Sequence, residues 1–225
     1  LTADQDEAPD YFSYNARLNR SRRRTLEESL ARSLKALPLG RFLRRRGQGA
    51  QVLDSRDPAI FDALHLSGSV NVGLGGKFAT WAGTVLDKSA PILLVCAPGR
   101  EKETALRLGR IGFDRVAGYL HGGFAALRKR RELLRTIDRI DAAALKRELS
   151  ARRKPLVLDV RAAGERALGK IAGSAHVPLN VLLRKLSEIP KGRRLVVHCA
   201  GGYRSTIAAS LLERAGFEQL ADLDG

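Results

Sequence analysis

The sequence predicts an α/β protein built from two copies of one module, each a mostly parallel central sheet flanked by helices. Three observations lead there. The stretch "QVLDSRDPAIFDALHLSGSVNVGL" at 51–74 aligns without a gap on "LVLDVRAAGERALGKIAGSAHVPL" at 156–179, so that Leu53, Asp54, Arg56, Gly68, Ser69 and Val72 recur as Leu158, Asp159, Arg161, Gly173, Ser174 and Val177. Further on, "PILLVC" at 91–96 parallels "RLVVHC" at 194–199, and "RIGFDRV" parallels "RAGFEQL". Within each copy, short Val- and Leu-rich runs alternate with stretches of three-and-four apolar spacing, the pattern of buried parallel strands joined by helices.

The elements follow in order. Residues 1–46 lie outside the repeat; Thr25-Leu-Glu-Glu28 is a capping box opening a helix with Leu26, Leu30, Leu34 and Leu37 on one face, ended near Pro38. The first module occupies 47–127. A charged, helical connection over 128–141 links it to the second module, 142–225, and Asp141 is placed to cap the helix "AAALKRELS". In the second module "PLVLDV", "AHVPL", "RLVVHC" and "QLADL" read as strands, while "VLLRKLSEI" and "STIAASLLERAG" read as helices, the latter stopped by Gly216.

Composition narrows the class of protein. No apolar run approaches the roughly 20 residues needed to span a membrane, and "LTADQDEAPDYF" has no secretory pattern, so a cytoplasmic protein without a membrane partner is expected. There is no methionine at all, which suggests a processed or partial chain. The net charge of +16 raises the question of nucleic acid. However, the basic clusters "RSRRR", "RFLRRR", "RKRR" and "RRK" fall between apolar segments without zinc-finger spacing or an aromatic stacking set, which favours solvated Arg-rich faces. Two cysteines far apart fit a reduced compartment, with at least one thiol kept for chemistry. His65, His121, His176 and His198 never fall at ligand spacing, so no metal is predicted in this chain. The oligomeric state is not legible.

"RLVVHCAGGYRST" at 194–206 carries the chemistry. A strand ends at Cys199; Ala200, Gly201, Gly202 and Tyr203 follow; then Arg204 and Ser205 open a helix. Glycines allow successive amide groups to turn around a sulfur, and the helix start reinforces such an anion nest, which favours thiolate over thiol. Cysteine-dependent phosphatases use a related loop with five residues between cysteine and arginine, whereas here there are four. The tighter loop suits one extra sulfur atom better than a tetrahedral phosphate, and no aspartate can be assigned as the general acid a phosphatase needs.

"HCAGGYRS", with "LDVRAAGE" and "IAGSAHVPL", resembles a rhodanese-type sulfurtransferase domain over 142–225 and, more loosely, over 50–127. The resemblance implies that Cys199 is the nucleophile and carrier of a persulfide, that Ala200, Gly201, Gly202, Tyr203, Arg204 and Ser205 bind the substrate, and that Arg204 helps hold an anionic donor. It implies a small-molecule sulfur donor, such as thiosulfate or a thiol persulfide, and a thiol or cyanide acceptor. Asp159 and Arg161 match the family's first-strand signature as structural supports. Relative to that family the closing helix is missing after Gly225.

The first module departs from the pattern. Cys96 is followed by Ala97, Pro98, Gly99 and Arg100, with three residues between cysteine and arginine, and Pro98 lacks an amide hydrogen. Either Val95 or Cys96 stands at the nucleophile position, depending on where the gap falls. This module reads as degenerate, with sulfur exchange between Cys96 and Cys199 as the sharper alternative. "PDYFSYNARLNR" at 9–20, followed by these two modules, resembles the C-terminal part of metallo-β-lactamase-fold proteins fused to tandem rhodanese domains, persulfide dioxygenases among them. Pro9, Tyr11, Phe12 and Asn19 would be the tail of the metal-binding domain. The chain has no His-x-His-x-Asp-His motif, so any iron or zinc would belong to an upstream domain. The competing reading is a non-catalytic rhodanese-like scaffold region of such a larger enzyme.

Overall fold

A computed structural model describes residues 34–224. The chain runs β1 (Ala36–Leu37), α1 (Leu39–Gly47), β2 (Gln51–Asp54), α2 (Pro58–Ala63), β3 (His65–Leu66), β4 (Val70–Asn71), α3 (Phe78–Val85), β5 (Ile92–Val95), α4 (Glu101–Arg110) and β6 (Val116–Leu120). It continues through β7 (Leu134–Arg135), β8 (Asp138–Ile140), α5 (Ala142–Ser150), β9 (Leu156–Asp159), α6 (Ala163–Ala167), β10 (Ala175–His176), α7 (Leu182–Lys185), β11 (Leu195–His198), α8 (Tyr203–Arg214) and β12 (Leu220–Leu223). Among the described residues, no helix is long and apolar enough to cross a membrane.

Two compact units result, and they do not follow the repeat. Residues 58–71, from the first copy, group with 134–224 in the second unit, while the first holds the described residues up to Asp57 and those from 72 to 133.

In the first unit β1, β6, β5 and β2 lie side by side, all parallel. β5 is central and all four of its residues are buried, which is why it reads as an unbroken apolar run. The helical face predicted through Leu37 ends differently. Leu37 is a strand residue, 1% exposed and paired with Leu120, because the proline at 38 disfavours a helical residue before it and the β6 edge offers hydrogen bonds. The capping box at 25–28 and the segment 9–20 lie outside the described residues.

In the second unit the sheet order is β10-β9-β11-β12-β8, every pair parallel. β11 sits between β9 and β12, and its four residues are all buried. On one face Leu145 of α5 packs on Val157, Val196, Ala221 and Leu223, with Ile140, Leu149 and Ile171 at its edge. α8 is buried along most of its length, from Ser205 to Leu212, and it ends where Gly216 turns with φ +86°. Asp141 caps α5 as expected, accepting the Ala144 amide hydrogen at 2.6 Å.

The connection over 128–141 is not an α-helix. It forms a 3-10 turn at Arg131–Leu133, then β7, paired antiparallel with β3, and β8, which extends the second sheet alongside β12. The charges misled here: Ile137 is buried and Ile140 half-buried between exposed charged residues, so local burial rather than helical periodicity sets the backbone.

The segment 58–71 is tied into the second unit by polar contacts. Phe61 and His65, both fully buried, stack with centroids 3.9 Å apart. His65 Nε2 lies 2.7 Å from Glu213 Oε2 on α8; Glu213 Oε1 accepts the Gly68 amide at 2.8 Å, and Ser210 Oγ accepts that of Asn71 at 3.1 Å.

Candidate active site

β11 delivers Cys199 at the carboxyl end of the central strand of its sheet, where α/β folds collect reactive groups. Cys199 is half-buried and is not disulfide-bonded. The turn to α8 is made at Gly202, whose φ of +77° a residue with a Cβ rarely adopts. Tyr203 donates its amide to the Gly201 carbonyl at 3.0 Å, and Thr206 donates its amide to that of Gly202 at 3.1 Å. Among the described residues no backbone carbonyl takes the amide hydrogens of Ala200, Gly201 or Gly202. The first turn of α8 holds no acidic residue.

Ser205 Oγ lies 3.4 Å from the Cys199 sulfur and 3.1 Å from the Gly202 carbonyl oxygen. Arg204 does not wait free for a donor. Its guanidinium forks onto Glu165 of α6, Nη1 to Oε2 at 2.5 Å and Nη2 to Oε1 at 2.6 Å. The Arg204 hydrogen bonds hold the Glu165 carboxyl down to about 2, and Glu165, with the nearby Cys199 sulfur adding in the same sense, raises the pKa of Arg204 above its ordinary value. Glu165 also accepts the Ala162 amide at 3.0 Å, so α6 is anchored to the loop through one carboxylate.

Behind the loop stands Asp159, fully buried at the end of β9. It accepts from the Arg161 amide at 3.0 Å, from Arg161 Nε at 2.9 Å and Nη2 at 2.8 Å, and from Arg166 Nη1 at 3.0 Å. Burial alone would raise its pKa, but these hydrogen bonds and charges outweigh it and hold the carboxyl well below the usual range. Arg166 also reaches Ser174, Oγ and carbonyl oxygen, each at 2.8 Å. His198 Nε2 is 3.7 Å from Asp159 Oδ2, beyond hydrogen-bond length, and burial pushes its pKa down, so the ring is neutral near pH 7. Asp159 and Arg161 thus brace the end of β9. The sequence reading missed two partners, Glu165 and Arg166, whose only signal was their acid and base character four and five positions after Arg161.

The family comparison accords with this geometry. The Rhodanese-like domain model matches residues 40–130 and 141–225. The chain belongs to the rhodanese family. Over 89 residues it is 32% identical to a sulfurtransferase of Allochromatium vinosum, covering 40% of this chain and 83% of that one. Over 80 residues it is 42% identical to the thiosulfate sulfurtransferase GlpE of Pseudomonas fluorescens, covering 35% of this chain and 71% of that one. Among solved structures, a rhodanese-related protein from Thermoplasma volcanium aligns at 33% identity and a TM-score of 0.36, over 39% of this chain and 84% of that one.

The first rhodanese-like domain places Cys96 after β5, only 3% exposed. Its sulfur donates to Thr104 Oγ1 at 3.5 Å, and Thr104 in turn lies 3.0 Å from Ser55 Oγ and donates to the Arg100 carbonyl at 2.8 Å. Burial, only partly offset by these hydroxyls, pushes the Cys96 thiol up to about 11. Arg100 is turned to Glu103 at 2.5 Å on the first turn of α4, which carries two acids, Glu101 and Glu103. The Asp54–Arg56 fork matches that of Asp159 and Arg161, with Nε to Oδ1 at 2.9 Å in both, so this domain keeps the brace while its cysteine is closed in. Among the described residues no cluster of three or more His, Cys, Asp or Glu side chains could hold a metal ion.

Proposed function

We propose that the second rhodanese-like domain is a sulfurtransferase that carries sulfane sulfur as a persulfide on Cys199. The observation that carries the reading is a half-buried sulfur at a strand end beside three amide groups with no backbone acceptor, on a helix start free of acids. In the step proposed, the Cys199 thiolate attacks the outer sulfur of thiosulfate; its sulfur–sulfur bond forms as that of the donor breaks, and sulfite leaves with the electron pair. An acceptor thiolate or cyanide then takes the outer sulfur and returns Cys199. The Ala200, Gly201 and Gly202 amides would hold the persulfide anion. The name of the Pseudomonas fluorescens relative supports thiosulfate as a donor. The Arg204–Glu165 fork, which leaves little unbalanced positive charge for a dianion, supports a less charged thiol persulfide. On the resemblance of residues 9–20, the chain would serve beside a metallo-β-lactamase-fold domain in persulfide metabolism.

Mass spectrometry tests the reading. After incubation with thiosulfate or glutathione persulfide the chain gains the mass of one sulfur atom, Cys199→Ser abolishes the gain, and Cys96→Ser keeps it. An unmodified wild-type chain that turns over no thiosulfate with cyanide would leave the scaffold reading in its place.

A further inference from the structure

The first turn of α8 carries a hydroxyl with more acceptors around it than hydrogens to give. Thr206 is fully buried, and its Oγ1 lies 2.9 Å from the Gly202 carbonyl oxygen, 3.2 Å from Asp62 Oδ2 of α2 and 3.3 Å from Asp222 Oδ2 of β12. Both aspartates are fully buried as well, and the Oδ1 of each has no hydrogen-bond partner among the described residues. The shortest contact, back to the carbonyl four residues earlier, takes the Thr206 hydrogen. The two carboxyl contacts are then hydrogen bonds only where a carboxyl brings a hydrogen of its own, because a carboxylate and a hydroxyl lone pair both accept. With both aspartates ionised, one hydrogen would face three acceptors and two like charges would share the interior.

Gly202 is the turn between Cys199 and α8, at φ +77°, so whatever holds its carbonyl holds the loop. We propose that Asp62, Thr206 and Asp222 form a proton-held latch beneath the Cys199 loop, in which a carboxyl hydrogen leaves the Thr206 hydroxyl free to bind the Gly202 carbonyl and fix that turn. When the pair gives up its last proton to solvent, the Thr206 hydrogen is drawn to a carboxylate and the Gly202 carbonyl loses it. Thr206 is thus a positioning residue of the loop. Burial raises both carboxyl pKa values above the usual range, and the charge of Asp222 raises that of Asp62 further. The charged group facing both from β8 is Arg139, which lowers both and is itself paired with Asp224, while α8 faces them with the Thr206 hydroxyl. Since the fold holds the proton more tightly than the unfolded chain, the latch's contribution to stability is complete below an ordinary aspartate pKa of about 4 and is lost as pH rises through the raised values. This deepens the sulfurtransferase reading and rests on it only for what the loop binds.

Urea unfolding of the full chain across pH, followed by circular dichroism, tests the held proton, with Asp62→Asn supplying a permanent hydrogen in place of the titrating one. From about pH 4 upward Asp62→Asn gains on wild type by roughly tenfold in the folding equilibrium per pH unit, until wild type has lost its last proton. A gap that does not widen with pH overturns the proposal. Hydrogen exchange of residues 199–206, taken as the ratio of wild type to Asp62→Asn so that its intrinsic pH dependence cancels, reads the turn. The ratio is near one at about pH 5 and several-fold at about pH 9, and a flat ratio overturns the link to the loop. Thr206→Ser keeps the wild-type profile, whereas Thr206→Val exchanges fast at every pH. Should Asp62→Asn fail to fold, wild type alone decides. Its infrared spectrum at about pH 6, where an ordinary carboxyl is ionised, keeps a protonated-carboxyl band that disappears on unfolding, and the lack of that band overturns the latch. Sulfur loading from glutathione persulfide, run beside these, separates the two readings: if the stability and exchange profiles are as described and nothing loads, the sulfurtransferase reading fails and the latch stands.

Discussion

The loops after β5 and β11 descend from one repeat and sit on the same kind of strand, yet they treat their cysteines in opposite ways. After β11 the sulfur is half-buried beside amides without backbone acceptors and a helix start free of acids. After β5 the sulfur is sealed to 3% exposure, hydrogen-bonded to Thr104, and followed by a helix whose first turn carries Glu101 and Glu103. One loop residue and two acidic side chains separate the two settings. The carboxylate–arginine fork at the adjacent strand end is common to both.

That contrast can be broken most directly by chemical labelling. With a thiol held up to about 11, Cys96 presents roughly one thiolate in a thousand at pH 8, so iodoacetamide at that pH modifies Cys199 at least about 10²-fold faster, as peptide mapping of the adducts would read. Comparable labelling of the folded chain would erase the distinction. Next in size, Gly202→Ala forces a Cβ onto a residue at φ +77° where space is ordinary, its nearest neighbour being Arg139 Nη2 at 3.6 Å, so strain rather than collision governs. The cost is about 1–2 kcal/mol, and the loop relaxes away from its open-amide form; sulfur loading slows by roughly ten-fold while Gly99→Ala, at φ +78° in the other loop, leaves loading unchanged.

Glu165→Gln sharpens the comparison further, because it gives Arg204 an uncompensated charge. The KM for thiosulfate then falls several-fold relative to that for a persulfide donor, and an unchanged ratio would mean that Glu165 does not set donor charge. The sign of the pH effect follows from the depressed carboxyl. Glu165 sits at about 2 in the fold against 4.5 when unperturbed, so its contribution to stability is complete above about 4.5 and is lost as pH falls toward 2. Acid titration of Glu165→Gln followed by circular dichroism therefore shows a shallower loss over that window than wild type. The smallest effect is Cys96→Ala, which leaves sulfur loading intact and costs about 1 kcal/mol in urea unfolding, as expected for a small void and a lost thiol contact.

What was legible in the sequence was whatever the repeat or a local pattern encodes. The gap-free alignment of Leu53–Asp54 with Leu158–Asp159 placed β2 and β9, and Cys199, Gly202 and Arg204 were in sequence order before they were in space. Asp141 announced its helix because capping is a contact three residues long. Partners far along the chain were not legible. Asp62 carries no local signal, and only folding sets it across Thr206 from Asp222. Arg204 read as a holder of an anionic donor, and its carboxylate partner, 39 positions upstream, was out of reach of any local pattern. The connection over 128–141 read as a helix because charge density hides strand alternation when strands are two or three residues long. The alignment of the copies also says nothing about which unit the segment 58–71 joins.

That segment governs how the second domain can be moved. A gene cut between the repeats, carrying residues 134 onward into a new host, would leave behind the side chain of His65 that meets Glu213, the two amides that Glu213 and Ser210 accept, and the aspartate that faces Asp222. Such a graft would arrive with a buried acid unmatched and the polar side of α8 unclothed. Duplication made the two halves look interchangeable, but they are now traded only as a pair.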